Sequence, residues 1–335
     1  MLGSSFFECV PFNLANRTLA DQMAIAKRLH LGRFDAVVLL HSVFSNQQNL
    51  RRFLLWTVAL HDTPKAFFIG NEYKLMPEKI RFCKQLKIDL LITQSKDEQV
   101  SSLYRNALGC KVACVPNTGI DPKIFRPATE LQNRPTVIGY RSNPSIWYMG
   151  NDEKSAITDW FQANESRIGV KVDASLLPSE RFDTQGYAEF LNRCRGQFGT
   201  ESGGDYFELT DRTRNQVNAY TKKNPKATWP EIKAMFFDHY GPSIPMRIIS
   251  GRQVEAAACK TVQILFEGRY NDYLKPDVNY ISLKKDFSNI DDVMQKFKDD
   301  DYCRRITENA YDLVMSELTY EKLIEKFFIQ LESIL

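Results

Sequence analysis

The sequence predicts an α/β protein made of two doubly wound domains, with a helical insertion in the second. Three observations lead there. Short apolar runs alternate with helical patterns through the first half of the chain. The alternation restarts after a polar segment framed by prolines at 127–135. With 335 residues, 43% hydrophobic and 25% charged, the chain suits two compact cores of ordinary composition.

In the first domain, residues 1–128, the runs Phe34–Leu40, Lys65–Ile69, Ile88–Thr93 and Lys111–Val115 read as buried parallel strands. Helical spacing at Leu50–Leu60 and Pro77–Leu86 falls between them. The glycine-rich first loop common in such domains is absent, and Met1–Asn16 offers an abbreviated strand at Phe6–Val10. Pro127–Pro135 (PATELQNRP) is the expected linker. The second domain, residues 135–317, shows strands at Thr136–Tyr140, Gly169–Asp173, Gly196–Thr200, Val262–Phe266 and Asn279–Leu283. The charged, aromatic-rich stretch Asp205–Tyr240 interrupts them as a helical insertion. Within it, Thr228-Trp229-Pro230-Glu231 reads as a capping box with proline at the first helical position. At the end, Tyr320, Leu323, Ile324, Phe327, Phe328, Leu331 and Leu335 fall on one helical face. This last helix, 318–335, needs an apolar groove and is expected to pack back on the first domain.

A net charge of +3, with basic residues scattered among acids, excludes nucleic acid as the expected partner. Seven cysteines, an odd number without a C-x-x-C pair beside histidines, read as reduced thiols and not as a metal site. There is no run of about 18 apolar residues and no basic-then-apolar start, so a cytoplasmic protein is expected. Asp299-Asp300-Asp301 reads as solvated charge between helices.

The segment most informative about chemistry is Ser250-Gly251-Arg252-Gln253-Val254-Glu255-Ala256-Ala257-Ala258-Cys259. Ser250 and Gln253 have capping-box spacing ahead of a strong helix former. The free N–H groups and positive dipole end of such a helix suit a phosphate, Gly251 allows close approach, and Arg252 adds charge-assisted bonds. Glu255, one turn in, is placed to accept hydrogen bonds from ribose hydroxyls. The same residues also suit a helix that is merely well capped.

The run from Arg252 to Val314 resembles the donor-binding region of group-one glycosyltransferases, most of them retaining enzymes with two Rossmann-like domains, the GT-B type. The resemblance rests on the Glu-Ala-x-Ala start at Glu255, on Asn309-Ala310-Tyr311 and on Thr319-Tyr320. Val115-Pro116-Asn117-Thr118-Gly119-Ile120-Asp121 with Phe125-Arg126-Pro127 is similar to the family's domain junction. It covers residues 135–335 well and the first half weakly. It implies that Glu255 binds the nucleotide ribose, with Ser250, Gly251 and Arg252 on the donor. It further implies transfer from a nucleotide-sugar to a glycan or lipid-linked acceptor in surface polysaccharide or glycoconjugate synthesis, without a separate cofactor. Lipid-linked acceptors would bring the protein to the inner face of the membrane, and scattered lysines and aromatics are compatible with a peripheral contact.

The family often carries a second glutamate eight positions before the ribose glutamate, where this chain has Arg247, and Lys260 and Val262 replace the glycine and proline of its Gly-Thr-Pro turn. Glu201, in Gly199-Thr200-Glu201-Ser202-Gly203-Gly204, is the expected substitute acid, with the Ser202 and Gly203 amides as a cradle for phosphate or sugar oxygens. Arg247 is then free to neutralise the diphosphate. Arg141, at the end of the first strand of this domain, is the candidate meeting donor phosphates, because open sheets bind ligands at strand carboxyl ends. The same rule nominates His41, Ser42, Asn71 and Glu72 on the acceptor side, with Asn117 at the junction. His41 suits orienting or deprotonating an acceptor hydroxyl, or binding a donor sugar hydroxyl, though a lone histidine is often structural. With arginines and helix amides on the diphosphate, and no Asp-x-Asp placed to hold a metal, the transfer is expected to be metal-independent. An epimerase of the same fold and a catalytically silent sugar-binding scaffold remain open alternatives.

Overall fold

A computed structural model describes residues 5–13, 18–239 and 243–335. In the first half, α1 (Leu19–Leu31), β1 (Val37–Leu39), α2 (Arg52–Leu60), β2 (Lys65–Phe68), α3 (Met76–Leu86), β3 (Leu90–Thr93), α4 (Glu98–Leu108) and β4 (Lys111–Cys114) follow in order. The four strands lie in chain order and are all parallel. Ala66, Phe67, Leu90, Leu91 and Ile92 are fully buried, as strands covered by helices on both faces must be. The apolar run Phe6–Val10 forms no strand. Phe6, which stays exposed, and the half-buried Phe7 instead pack on Phe328 of the last helix, at centroid distances of 5.4 and 6.0 Å, a contact that needs no sheet pairing. Residues 1–4 and 14–16 of that opening segment lie outside the described residues.

Residues 127–135 connect the sheets and are pinned by a buried guanidinium: Arg134 donates to Cys259 O (2.8 Å), Thr129 O (2.8 Å) and Thr261 Oγ1 (3.0 Å). Beyond them come β5 (Val137–Arg141), α5 (Glu153–Ala163), α6 (Glu165–Ile168), β6 (Lys171–Ser175), α7 (Thr184–Arg193), β7 (Gly196–Gly199), β8 (Ser202–Gly204), α8 (Arg212–Lys223), α9 (Trp229–Phe236), β9 (Met246–Ile248), α10 (Gly251–Ala258), β10 (Val262–Phe266), β11 (Ile281–Leu283), α11 (Ile290–Lys298), α12 (Asp300–Glu317) and α13 (Tyr320–Glu332). Five of these strands form a parallel sheet in the order β11-β10-β7-β5-β6. Strand order reverses between β5 and β7, so the connections leave on opposite faces, and the space beyond their carboxyl ends is the crevice in which open sheets of this kind bind ligands. Strands β8 and β9 form a separate antiparallel ribbon beside it.

Helices α8 and α9 form the insertion; its last expected residue, Tyr240, lies outside the described residues. The capping box expected at Thr228 is not made. Pro230 is the second helical residue, the Thr228 side chain makes no capping bond, and Glu231 accepts from Tyr220 Oη instead. The segment leading into α8 crosses to the first sheet. There Phe207 packs edge-on to Tyr104 at 5.6 Å, and Asp211 accepts Leu75 N (2.6 Å) and Met76 N (3.1 Å) at the start of α3.

Helix α13 packs on the first sheet, with Phe327 against Phe68 at 4.8 Å. Ile120 N donates to Leu318 O (2.9 Å) and Tyr320 N to Ile120 O (3.1 Å), which ties the chain end to the junction loop. Gly119 is required there, since a Cβ would lie 2.5 Å from the Tyr320 ring. The triple aspartate is structural and not simply solvated: Asp299 caps Tyr302 N at 3.0 Å and Asp300 pairs with Arg195 at 2.7 Å. Among the described residues, no helix is long and apolar enough to cross a membrane.

Candidate functional site at the strand-order reversal

The crevice beyond β5 and β7 is bordered by the first turn of α10, the first turn of α5 and the β8–β9 ribbon. Helix α10 is fixed by Gln253. Its Oε1 accepts Ser250 N at 2.9 Å, and its Nε2 donates to Thr200 O at 3.1 Å, binding the helix start to the end of β7. Gln197 Nε2 adds a bond to Arg252 O at 3.0 Å. The capping pattern read from the sequence therefore positions this helix rigidly at the crevice.

Arg252 points over the ring of Tyr140 at 6.0 Å and makes only a long contact to Ser202 Oγ, at 3.5 Å. Its Nε is buried without a partner. The Glu255 carboxylate makes no hydrogen bond among the described residues. Burial pushes its carboxyl up while Arg252 pulls it down. Gly251 leaves the room in which that carboxylate sits, 3.3 Å from where a Cβ would stand. The charge of Glu255 also reaches Tyr187 and Tyr320, so the junction loop at Gly119 lies at this edge of the crevice.

Lys154, in the first turn of α5, was not expected from the sequence. Its ammonium has no acceptor among the described residues, and burial, with Arg252 and Arg247 close by, lowers it to about 8. A lysine there opposes the helix dipole, which disfavours cations at a helix start. Beside Arg252 and Glu255 two hydroxyls, Tyr140 Oη and Tyr187 Oη, are buried and unpartnered. Buried polar atoms are normally satisfied, so such a cluster is the mark of a site shaped for a polar ligand.

Other expected residues are committed elsewhere. Arg247, on β9, donates to Glu153 at 2.7 and 2.9 Å and to Asp205 at 2.8 and 2.7 Å, so four of its five N–H groups and its charge are committed to these carboxylates. Burial alone would raise the Glu153 carboxyl, but Arg247, Lys285 and Thr200 hold it down at about 2. Arg141 turns to the outer strand, bonding Asp173 Oδ1 (2.7 Å) and Asp173 O (2.8 Å) and lying over Phe190 at 4.7 Å. It braces β5 against β6 and does not face the crevice.

Glu201 is a positioning residue in this structure: its Oε1 accepts Tyr270 N (2.6 Å) and Arg269 N (3.1 Å). It anchors a loop in which Tyr270, Asn271 and Asp272 all have positive φ, and whose Asn271 donates to Gln94 O of the first domain at 2.8 Å. Ser202 and Gly203 belong to β8 and not to an open cradle. Gly203, at φ +85°, has to be glycine because a Cβ would lie 1.8 Å from Met246 O of the partner strand.

On the acceptor side, Glu72 is fully buried and accepts Thr93 Oγ1 (2.6 Å), Tyr104 Oη (2.8 Å) and Gln94 N (2.9 Å), which makes it a core brace. Asn71, at φ +47°, donates to Ser45 Oγ at 2.7 Å and accepts Tyr73 Oη at 3.0 Å. The Tyr73 ring meets Tyr148 of the second domain at 6.4 Å. Beneath them the buried Lys79 ammonium, lowered to about 8 by burial, binds Gly70 O, Asn71 O and Lys74 O at 2.6 to 2.9 Å, fixing this turn. His41 is exposed beside it, above Gly70, and Ser42 is exposed with its carbonyl accepting Asn49 Nδ2 at 2.7 Å. Asn117 is exposed in the junction loop.

No protein-family model matches the chain, and no curated protein is significantly similar to it in sequence. Its architecture is shared with solved structures. HepE of Anabaena, in complex with UDP, superposes with a TM-score of 0.52 at 12% identity, covering 94% of this chain and 82% of its own. Sucrose-phosphate synthase of Thermosynechococcus elongatus gives 0.51 at 12% identity over 94% and 78%. HepE with UDP-glucose gives 0.50, again at 12% identity, over 95% and 84%. The fold is GT-B: two Rossmann-like α/β domains facing a cleft, here with a helical insertion.

Proposed function

We propose that this chain is a nucleotide-sugar-dependent glycosyltransferase, binding its donor in the β5–β7 crevice and a glycan or lipid-linked acceptor on the first domain. The observation that carries the reading is the convergence of Lys154 and Arg252, two cations without acid partners, with the unpaired Glu255 at a helix start of a GT-B fold. In this reading Lys154, Arg252 and the α10 amides hold the donor diphosphate, and Glu255 accepts the ribose hydroxyls. As the anomeric carbon–oxygen bond breaks, the two cations stabilise the departing phosphate charge, so no metal is called upon. The acceptor hydroxyl attacks from the same face and its proton passes to the departing phosphate oxygen, retaining the anomeric configuration. Asn71, on its fixed turn, and His41 beside it orient the acceptor. We place the activity in surface polysaccharide or glycoconjugate synthesis on the cytoplasmic side. The UDP and UDP-glucose in HepE make a uridine donor the first to try.

Thermal shift and calorimetry with UDP, GDP, ADP, CMP and TDP and their sugars, on the parent and Glu255→Ala, test the reading. One nucleotide should stabilise the parent and not the variant. No stabilisation by any of them removes the donor site. Because Arg247 is locked between two carboxylates where the resembling family keeps an acid, binding without turnover on any acceptor would instead mark a silent nucleotide-sugar-binding protein.

A further inference from the structure

The outer surface of α1 and α2 carries a pattern that the fold does not consume. On α1, Leu19, Met23, Lys27 and Leu31 succeed one another at i, i+4 spacing; on α2, Arg52, Trp56 and Leu60 do the same. These apolar side chains are 50% (Leu19), 58% (Met23), 69% (Leu31), 59% (Trp56) and 74% (Leu60) exposed. The opposite faces, Leu29 on α1 and Leu54 and Val58 on α2, are buried in the core of the first domain, and the two helices pack side by side. Their outward stripes therefore form one surface.

The exposed charge beside that surface is mostly positive, with Asp35, beyond α1, and Asp62, beyond α2, as exposed acids. Lys27, Arg33, Arg51 and Arg52 are exposed, and none has an ion-pair partner among the described residues. Asp21 of α1 is turned to the Thr18 cap, accepting Thr18 N at 3.0 Å. Exposed leucines beside a tryptophan, rimmed by unpaired cations, match the layers of a bilayer surface. Aliphatic groups enter the acyl boundary, the indole sits at headgroup level, and the long cations reach lipid phosphates. A second copy of the chain fits worse, since a two-fold contact would set Lys27, Arg51 and Arg52 against themselves.

We propose that the α1–α2 surface docks the protein on a lipid bilayer with anionic headgroups. The docking does not depend on the nucleotide site, so it stands or falls separately from the transferase reading. The test is co-sedimentation of the full chain with phosphatidylcholine vesicles with and without phosphatidylglycerol, read alongside tryptophan emission in the parent and in Trp56→Phe. The parent should bind only the anionic vesicles, with a blue shift that Trp56→Phe lacks. Lys27→Glu with Arg52→Glu, and separately Trp56→Ser with Leu60→Ser, should each weaken binding roughly tenfold at low salt. Unchanged far-UV circular dichroism and Tm confirm that both double variants are folded, as the exposure of all four side chains requires. The proposal is overturned if anionic vesicles do not bind the parent, if both double variants bind as the parent does, or if sedimentation equilibrium shows a dimer that Trp56→Ser with Leu60→Ser dissolves.

Discussion

Arg247 and Glu153, 94 residues apart in the chain, meet in a two-point pair, Nη1 to Oε2 at 2.7 Å and Nη2 to Oε1 at 2.9 Å. Asp205 completes the guanidinium's partners, and Lys285 Nζ lies 2.8 Å from Glu153 Oε1. The pair joins the start of α5, which carries Lys154, to the β8–β9 ribbon at the crevice rim.

Removing one member should therefore be costly. Glu153→Ala leaves a guanidinium that is 9% exposed with only Asp205, and a loss of about 3 kcal/mol in unfolding free energy is expected. Because Glu153 is held near 2 in the folded chain, below its ordinary 4.5, its contribution is complete above about pH 4.5 and is lost as pH falls toward 2. Urea titrations from neutral to acid pH should show a shallower acid decline in Glu153→Gln than in the parent.

Lys154 sets a second pH dependence. Only its ammonium form attracts a diphosphate, and the folded chain holds it at about 8. UDP-glucose, whose diphosphate does not titrate in this range, should bind best below pH 8 and progressively less well above it. Calorimetry on Lys154→Met should show binding weaker by roughly tenfold, a size ordinary for one charge-assisted contact, and flat across that range.

For Glu201, the choice of substitution separates catalysis from positioning. Glutamine keeps the carbonyl-type oxygen that accepts Tyr270 N and Arg269 N, whereas alanine removes it. Glu201→Gln should retain most of the turnover and Tm of the parent, while Glu201→Ala lowers Tm and raises KM through the loosened 269–272 loop. A Glu201→Gln variant that is stable but inactive would restore Glu201 to a catalytic role.

Asp211 ties the insertion to the other domain by capping α3, with Leu75 N at 2.6 Å and Arg214 Nη1 at 2.6 Å. Asp211→Ala should cost about 1 to 2 kcal/mol, as lost caps do. Limited proteolysis should then cut the 205–211 segment faster than in the parent.

Much of this was legible in the chain itself. The apolar runs at Lys65–Ile69, Ile88–Thr93 and Val262–Phe266 could be read as buried parallel strands because both faces of such strands are covered. Ser250 and Gln253 marked the helix start because a cap is chemistry between near neighbours. Phe6–Val10 misled, because an apolar run satisfied by α13 looks the same as one satisfied by a sheet. A signal for Lys154 was present in a cation at a helix start, where the dipole gives no reason for one.

The sequence by itself determined what depends on neighbours in the chain: strand and helix periods, the capped start of α10, the charge balance and the α/β class. Tertiary structure alone decided which charges are spent and which are free. Arg141, Arg247 and Arg252 are equivalent as letters; Asp173 takes the first, Glu153 and Asp205 the second, and the third is left facing the crevice with Lys154. Coulomb energy and desolvation depend on distances of a few ångströms between groups far apart in sequence, and only the folded chain sets those distances.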